Sequence, residues 1–291
     1  MAGRLRQAHR IVRALSEQSK HSVVTAPSIP NWRKWPDSGI HAAWIGHSTV
    51  LMKVNGFTIV TDPIFSERCG IRVGPMTIGI KRLVAPALDK RELPHIDLIL
   101  LSHAHMDHFD IPSLRALENK RTAVVTAKST SDLLRVRRYG SVTELGWDET
   151  TRVGPLTIRG LRVNHWGARL RTDVHRGFNG YRIESGNRRV LFGGDTADTR
   201  EFRAVRRFGA VDLAIMPIGA YNPWIYAHCT PEQALTMADE AGAEHVLPVH
   251  HQTFRLGSEP YMEPIERFVN ATGRNDHRVF ARAIGDQASL N

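Results

Sequence analysis

The hydrophobic residues of this chain come in short dense blocks punctuated by glycine, proline and asparagine, the pattern of a sheet-rich protein. Ala42–Ile45, Val50–Val54 and Phe57–Thr61 read as strands, and Asn55-Gly56 between the last two is a hairpin turn. The unbroken apolar run Ile96–Leu101 reads as a buried strand. Helices are expected over Ile111–Glu118 and Ser129–Arg138, with a strand over Ala123–Thr126 between them. Residues 64–94 show no clear periodicity and read as a long loop, of the kind that serves as a lid.

The second half repeats the theme. Tyr181–Ile183, a turn at Ser185-Gly186-Asn187 and Val190–Phe192 again make a hairpin, and each hairpin delivers an aspartate, Asp62 or Asp195. Asp212–Met216 parallels Asp97–Leu101. Thr230-Pro231-Glu232-Gln233 starts a helix, with Thr as N-cap, Pro at the first helical position and Gln at the third. That helix stops at Gly242, and the strand His245–Val249 follows. A weak duplication of this kind predicts two β-rich halves, each with helices on one face, stacked sheet to sheet. The strand ends of both halves would then meet along one edge. Residues 1–38 form an extension, in which Leu5, Ala8, Ile11, Val12 and Leu15 have the spacing of an amphipathic helix; 39–291 form a single domain.

Charge narrows the partners. Against 29 Asp and Glu stand 39 Lys and Arg, a net charge of +10 over 291 residues. The excess favours an anionic small molecule or phospholipid. Its scatter along the chain gives no basic arm for nucleic acid, and none is expected as partner. The N-terminal helix would pack on the body or lie on an anionic membrane. No apolar run approaches the ~20 residues of a membrane span, and no signal peptide is read. Cys69 and Cys229 lack C-x-x-C partners, so no disulfide framework is expected and a reducing cytoplasm is the simplest home.

The chemistry is concentrated in Ser102-His103-Ala104-His105-Met106-Asp107-His108. In an extended segment alternate side chains share a face, so His103 and His105 can converge on one ion. Asp107 and His108 follow where the strand must turn, within reach of a second. Imidazole and carboxylate suit zinc and its borderline neighbours. His165, Asp195 and the pair His250-His251 also sit where strands end, and together they supply enough donors for two metals.

His-x-His-x-Asp-His, a spaced His, Gly-Asp-Thr and a late His resemble the metallo-β-lactamase fold superfamily. The flanks Trp44-Ile45-Gly46-His47-Ser48-Thr49, Thr61-Asp62-Pro63, Asn164-His165-Trp166, Gly194-Asp195-Thr196, Ile218-Gly219-Ala220-Tyr221 and His228 before Pro231-Glu232 resemble its N-acyl-phosphatidylethanolamine-hydrolysing phospholipase D branch, over roughly residues 31–264. The resemblance implies an α/β fold, the αβ/βα four-layer sandwich of two stacked mixed sheets with helices outside. It implies two Zn²⁺, with Mn²⁺ or Fe²⁺ as alternatives: His103, His105 and His165 on one, Asp107, His108 and His250 on the other, and Asp195 bridging. His250 fits the late position better than His251, because Thr253-Phe254 then falls in register. A metal-bridging hydroxide would be the nucleophile, oriented by Asp107, with His228 beside the substrate phosphate. Asp62 and His47 would support the ligands, and Tyr221, Asn222 and Trp224 would line the pocket rim. The activity implied is phosphodiester hydrolysis. A lactonase or other carboxylic-ester hydrolase on the same fold is the alternative, and a metal-dependent nuclease ranks below both. Monomer and dimer both remain open.

Overall fold

The computed structural model describes residues 21–74 and 76–291, so the helix expected over 5–15 lies outside the described residues. Among the described residues, fifteen strands are laid down in the order β1 (Ile40–Gly46), β2 (Thr49–Val54), β3 (Phe57–Thr61), β4 (Arg68–Val73), β5 (Met76–Lys81), β6 (Leu98–Leu101), β7 (Ala123–Ala127), β8 (Ser141–Leu145), β9 (Thr150–Val153), β10 (Leu156–Leu161), β11 (Gly180–Ser185), β12 (Arg188–Phe192), β13 (Val211–Pro217), β14 (Ala243–Val249) and β15 (Gln287–Leu290). One mixed sheet has the order β15-β1-β2-β3-β6-β7-β8, the other β14-β13-β12-β11-β10-β9, and β4 and β5 pair only with each other.

The duplication read from sequence is visible in the pairing. In each half an antiparallel hairpin, β2–β3 or β11–β12, is followed by two strands that add in parallel, β6 and β7 or β13 and β14. The turns of the two hairpins touch, for Asn55 Nδ2 donates to Ser185 O at 2.8 Å. Asn55 and Gly56 both take the positive φ that such a two-residue turn requires.

Central strands read as unbroken apolar runs because both of their faces are covered. Along β13, Leu213 and Ile215 belong to the core between the sheets, together with Ile59, Leu100 and Ile158. Ala214 and Met216 point the other way, against helices α2 (Pro231–Glu240) and α3 (Glu263–Thr272). Helix α2 begins as expected: Thr230 and Gln233 form a reciprocal capping box. Among the described residues no helix is long and apolar enough to cross a membrane.

Three expectations change. The helix expected over Ser129–Arg138 is two short 3₁₀ turns, Ser131–Leu133 and Val136–Arg138. The Glu144 carboxylate accepts from the amides of Ser129, Thr130 and Ser131, capturing the donors that would have opened a helix. The loop expected over 64–94 contains the β4–β5 hairpin. Its period-two pattern is diluted in the sequence by Gly70, Gly74 and Gly79. The strand expected before His165 ends at Leu161, so His165 is held by a loop.

Truncating Leu213 to alanine should lower stability by about 2–5 kcal/mol, because the seam on its inner face cannot collapse around the cavity. Thr230→Ala should cost only about 1 kcal/mol. Urea denaturation of the two variants checks the ranking.

Candidate metal centre

Every candidate ligand but His165, which a loop carries, leaves the end of a strand on one edge of the sandwich. The segment Ser102–His108 follows β6, Asp62 follows β3, Asp195 follows β12 and His250 follows β14. His47 occupies the turn between β1 and β2. The chain reaches these positions under strain: His47, Asp62 and His250 all have positive φ, a conformation that costs non-glycine residues about 1–3 kcal/mol each. Gly194 (φ +58°) makes room for Asp195, since a Cβ there would meet Asn179 O at 2.6 Å and Ser102 Cβ at 2.9 Å.

Two donor sets form. In the first, His103 Nε2 lies 2.8 Å from His105 Nδ1, and His165 Nε2 lies 3.2 Å from the same atom. In the second, Asp107 Oδ2 lies 3.4 Å from both His108 Nε2 and His250 Nε2, and 3.0 Å from His47 Nε2. Asp195 Oδ2 stands between the sets. It is 3.0 Å from His108 Nε2, 3.2 Å from His250 Nε2, 3.8 Å from His165 Nε2 and 4.0 Å from His103 Nε2. His108 Nε2, His250 Nε2 and Asp195 Oδ1 are buried with no hydrogen-bond partner. Buried polar atoms are normally paired. Convergent, unpaired lone pairs of this kind fit a cation, and the His/Asp cluster is able to bind metal.

The surrounding groups fix which nitrogen faces inward. Asp62 is fully buried and accepts from Ser102 N and Ser102 Oγ, and from His108 Nδ1 at 2.7 Å. Ser102 Oγ also lies 2.9 Å from His103 Nδ1. One carboxylate thus steadies a histidine of each set, and the histidine proton on Nδ1 leaves Nε2 free. His165 Nδ1 donates to Ala227 O at 2.8 Å, with the same result. Such outer partners orient ligands and raise their basicity. His47 lies within reach of the second donor set, with Nε2 3.0 Å from Asp107 Oδ2 and its ring packed on His250 at 4.2 Å between centroids.

Electrostatics follow from burial and from two carboxylates. Burial drives His165 and His47 down to about 3 and holds His103 well below the usual histidine range. Burial also opposes a charge on His250, yet Asp195 and Asp107 overcome it and raise this ring to about 9. His108 is raised well above its ordinary value by the same carboxylates against the same penalty. The edge where the strands end is a sink for positive charge.

His228 joins the cluster, with Nδ1 3.8 Å from Asp195 Oδ2 and its ring 5.2 Å from both His165 and His250. Of the expected rim residues, Trp224 is exposed and donates from Nε1 to Leu256 O at 3.3 Å, and Asn222 is exposed beside Glu259. Tyr221 is buried, and its hydroxyl donates to Glu263 Oε1 at 2.7 Å, so it braces α3 rather than lining an open rim. His251 is buried, stacked on Trp44 and absent from the donor sets. Two contributors had no role in the sequence reading. The Trp166 ring lies on His105 and His165, at 4.7 and 4.5 Å. Arg169 Nη1 donates to Ala104 O and Phe109 O, at 2.9 and 2.8 Å, clamping the ligand loop at both ends. Nothing in the sequence signals that clamp, whose partners lie more than 60 positions away or at that distance.

Comparison with known proteins agrees with this geometry. The family model described as a beta-lactamase superfamily domain matches residues 58–251. An uncharacterised protein of Mycobacterium tuberculosis is 32% identical over 83% of this chain, which spans 66% of that relative's length. The N-acyl-phosphatidylethanolamine-hydrolyzing phospholipase D 1 of Caenorhabditis elegans is 32% identical over 79% of this chain and 69% of its own. The solved structure of a metallo hydrolase from Ignicoccus hospitalis superposes with a TM-score of 0.66 at 18% identity, over 87% of this chain and 99% of that one, a likeness of fold.

Asp62→Ala should weaken metal binding about 10–100-fold while leaving all donor atoms in the chain. Competition against a chromophoric chelator measures it. Because metal must displace protons from His108 and His250, affinity should rise with pH from neutrality to at least about 9, where His250 loses its proton. Calorimetry in buffers of different ionisation enthalpy would register the released protons.

Proposed function

The chain belongs to the beta-lactamase superfamily, in the branch of the N-acyl-phosphatidylethanolamine-hydrolysing phospholipases D, and on that footing we propose that it is a dinuclear zinc phosphodiesterase acting on a phospholipid-type diester. The observation that carries the reading is the pair of donor sets joined by one oxygen of Asp195. His103, His105 and His165 would hold one cation, and Asp107, His108 and His250 the other. Ligand nitrogens on a tetrahedral zinc stand roughly 3.3 Å apart, given Zn–N lengths of ~2.0–2.1 Å. The separations of 2.8 and 3.2 Å in the first set come close to this. Bound there, two divalent cations acidify water and offset the charge of a phosphodiester.

The chain's own groups supply the rest. Asp107 is the carboxylate placed to accept a hydrogen bond from the attacking water, and His47 Nε2 steadies its Oδ2 at 3.0 Å. Burial lowers His228 to about 4, so at neutral pH it offers an N–H to the substrate phosphate rather than a proton to the leaving group. The net charge of +10 favours an anionic substrate, and the name of the nematode relative supports a phospholipid.

Zinc-loaded protein should cleave bis-p-nitrophenyl phosphate and N-acyl-phosphatidylethanolamine, and lose both activities on chelation. Absence of metal-dependent turnover on either would sink the reading. Turnover of lactones in place of diesters would replace it with carboxylic-ester hydrolysis. His228→Ala should lower kcat about 10²-fold or more with little change in bound metal. An unchanged kcat would remove His228 from the reaction.

A further inference from the structure

The β4–β5 hairpin belongs to neither main sheet, and it is amphipathic. Directly opposed residues of an antiparallel pair share a face. Here Cys69–Ile80, Ile71–Ile78 and Val73–Met76 are opposed, so one face is wholly apolar. At its base that face is rooted in the body, where Cys69 and Ile80 pack with Ile64, Phe254 and Leu256. Towards the tip it leaves the body: Ile71, Ile78, Val73 and Met76 are 53–66% exposed. The opposite face carries Arg68, Arg72, Thr77 and Lys81. No acidic residue occurs from Arg68 to Lys81. A two-stranded hairpin is marginal in water, and a flat apolar strand face invites a partner.

The hairpin does not stand alone. Its base touches Phe254, whose ring lies 5.3 Å from His47 of the metal cluster. On the far side of Leu256, Trp224, Ile225 and Tyr226 are exposed, Tyr226 by 90%. Trp166, whose ring packs on His105 and His165, is also exposed. Residues 166–172 and 221–228 likewise contain no acidic residue. The apolar rim and the cations beside it match a surface that is apolar inside and negative at its border, while the exposed Glu67 pairs with Lys81 at 3.4 Å.

We propose that the β4–β5 hairpin seats this protein on an anionic lipid bilayer, its Ile71, Val73, Met76 and Ile78 face entering the boundary of the acyl chains and the exposed Arg72 meeting the phosphate headgroups. The edge bearing the metal cluster then faces the lipid. The inference concerns where the protein sits and does not depend on which ester it cleaves.

The test uses the full zinc-loaded chain and vesicles of phosphatidylcholine with or without phosphatidylglycerol, read by co-sedimentation. The protein should bind the anionic vesicles and not the neutral ones, and lose binding as salt rises. The double variant Ile71→Asp/Met76→Asp should bind at least about tenfold more weakly, with unchanged thermal stability and unchanged turnover of soluble bis-p-nitrophenyl phosphate. Arg72→Glu should reduce the preference for anionic lipid. Anionic binding that survives both sets of substitutions would overturn the proposal. So would a wild-type dimer by light scattering that the double variant splits while vesicles bind neither protein, since a second copy would then cover the face. Binding is scored without turnover, so an inactive but vesicle-bound protein would count against the phosphodiesterase reading alone.

Discussion

Two carboxylates, Asp107 and Asp195, lie among six imidazole nitrogens at the meeting edge of two sheets, and neither can stay ionised there without positive charge beside it. The whole edge is organised around that demand. The strands that end there are buried on both faces, which fixes their directions to within the tolerance of a packed core. The loops that follow are bent into unfavourable backbone conformations at His47, Asp62 and His250, and the sandwich beneath them supplies the stability to hold those bends.

Neither half of the duplicated fold completes a donor set. His103 and His105 need His165 from the second sheet's side, and Asp107 and His108 need His250. The outer contacts cross in the same way. Arg169, from the second half, holds the carbonyls on either side of the first half's ligand loop, and Thr253 Oγ1 accepts from the amide of His47 at 2.6 Å. Asp62 ties the sets to each other because its oxygens reach His108 directly and His103 through Ser102. Docking of the halves and assembly of the centre are therefore one event.

Much of this was legible in the chain itself. The strands that carry ligands are dense apolar runs, and Asn55-Gly56 and Ser185-Gly186 announce both hairpins. The donor residues stand where runs end, and the duplication exposes Asp62 and Asp195 as counterparts. The rest depended on long-range contacts with no local trace. Glu144 unmade a helix by reaching back to Ser129–Ser131. Tyr221 looked like a rim residue until Glu263 accounted for its hydroxyl. The β4–β5 hairpin was hidden because glycines stand where a strand usually has side chains, leaving an alternation too sparse to read by composition.

Four donors of the centre, His103, His105, Asp107 and His108, fit within one short stretch of chain. Side chains so close in sequence need no folded scaffold to find one another. A denatured chain would thus keep these donors close enough to share a metal ion, and a ligand that also binds the unfolded state stabilises the native one by less than its native affinity alone predicts.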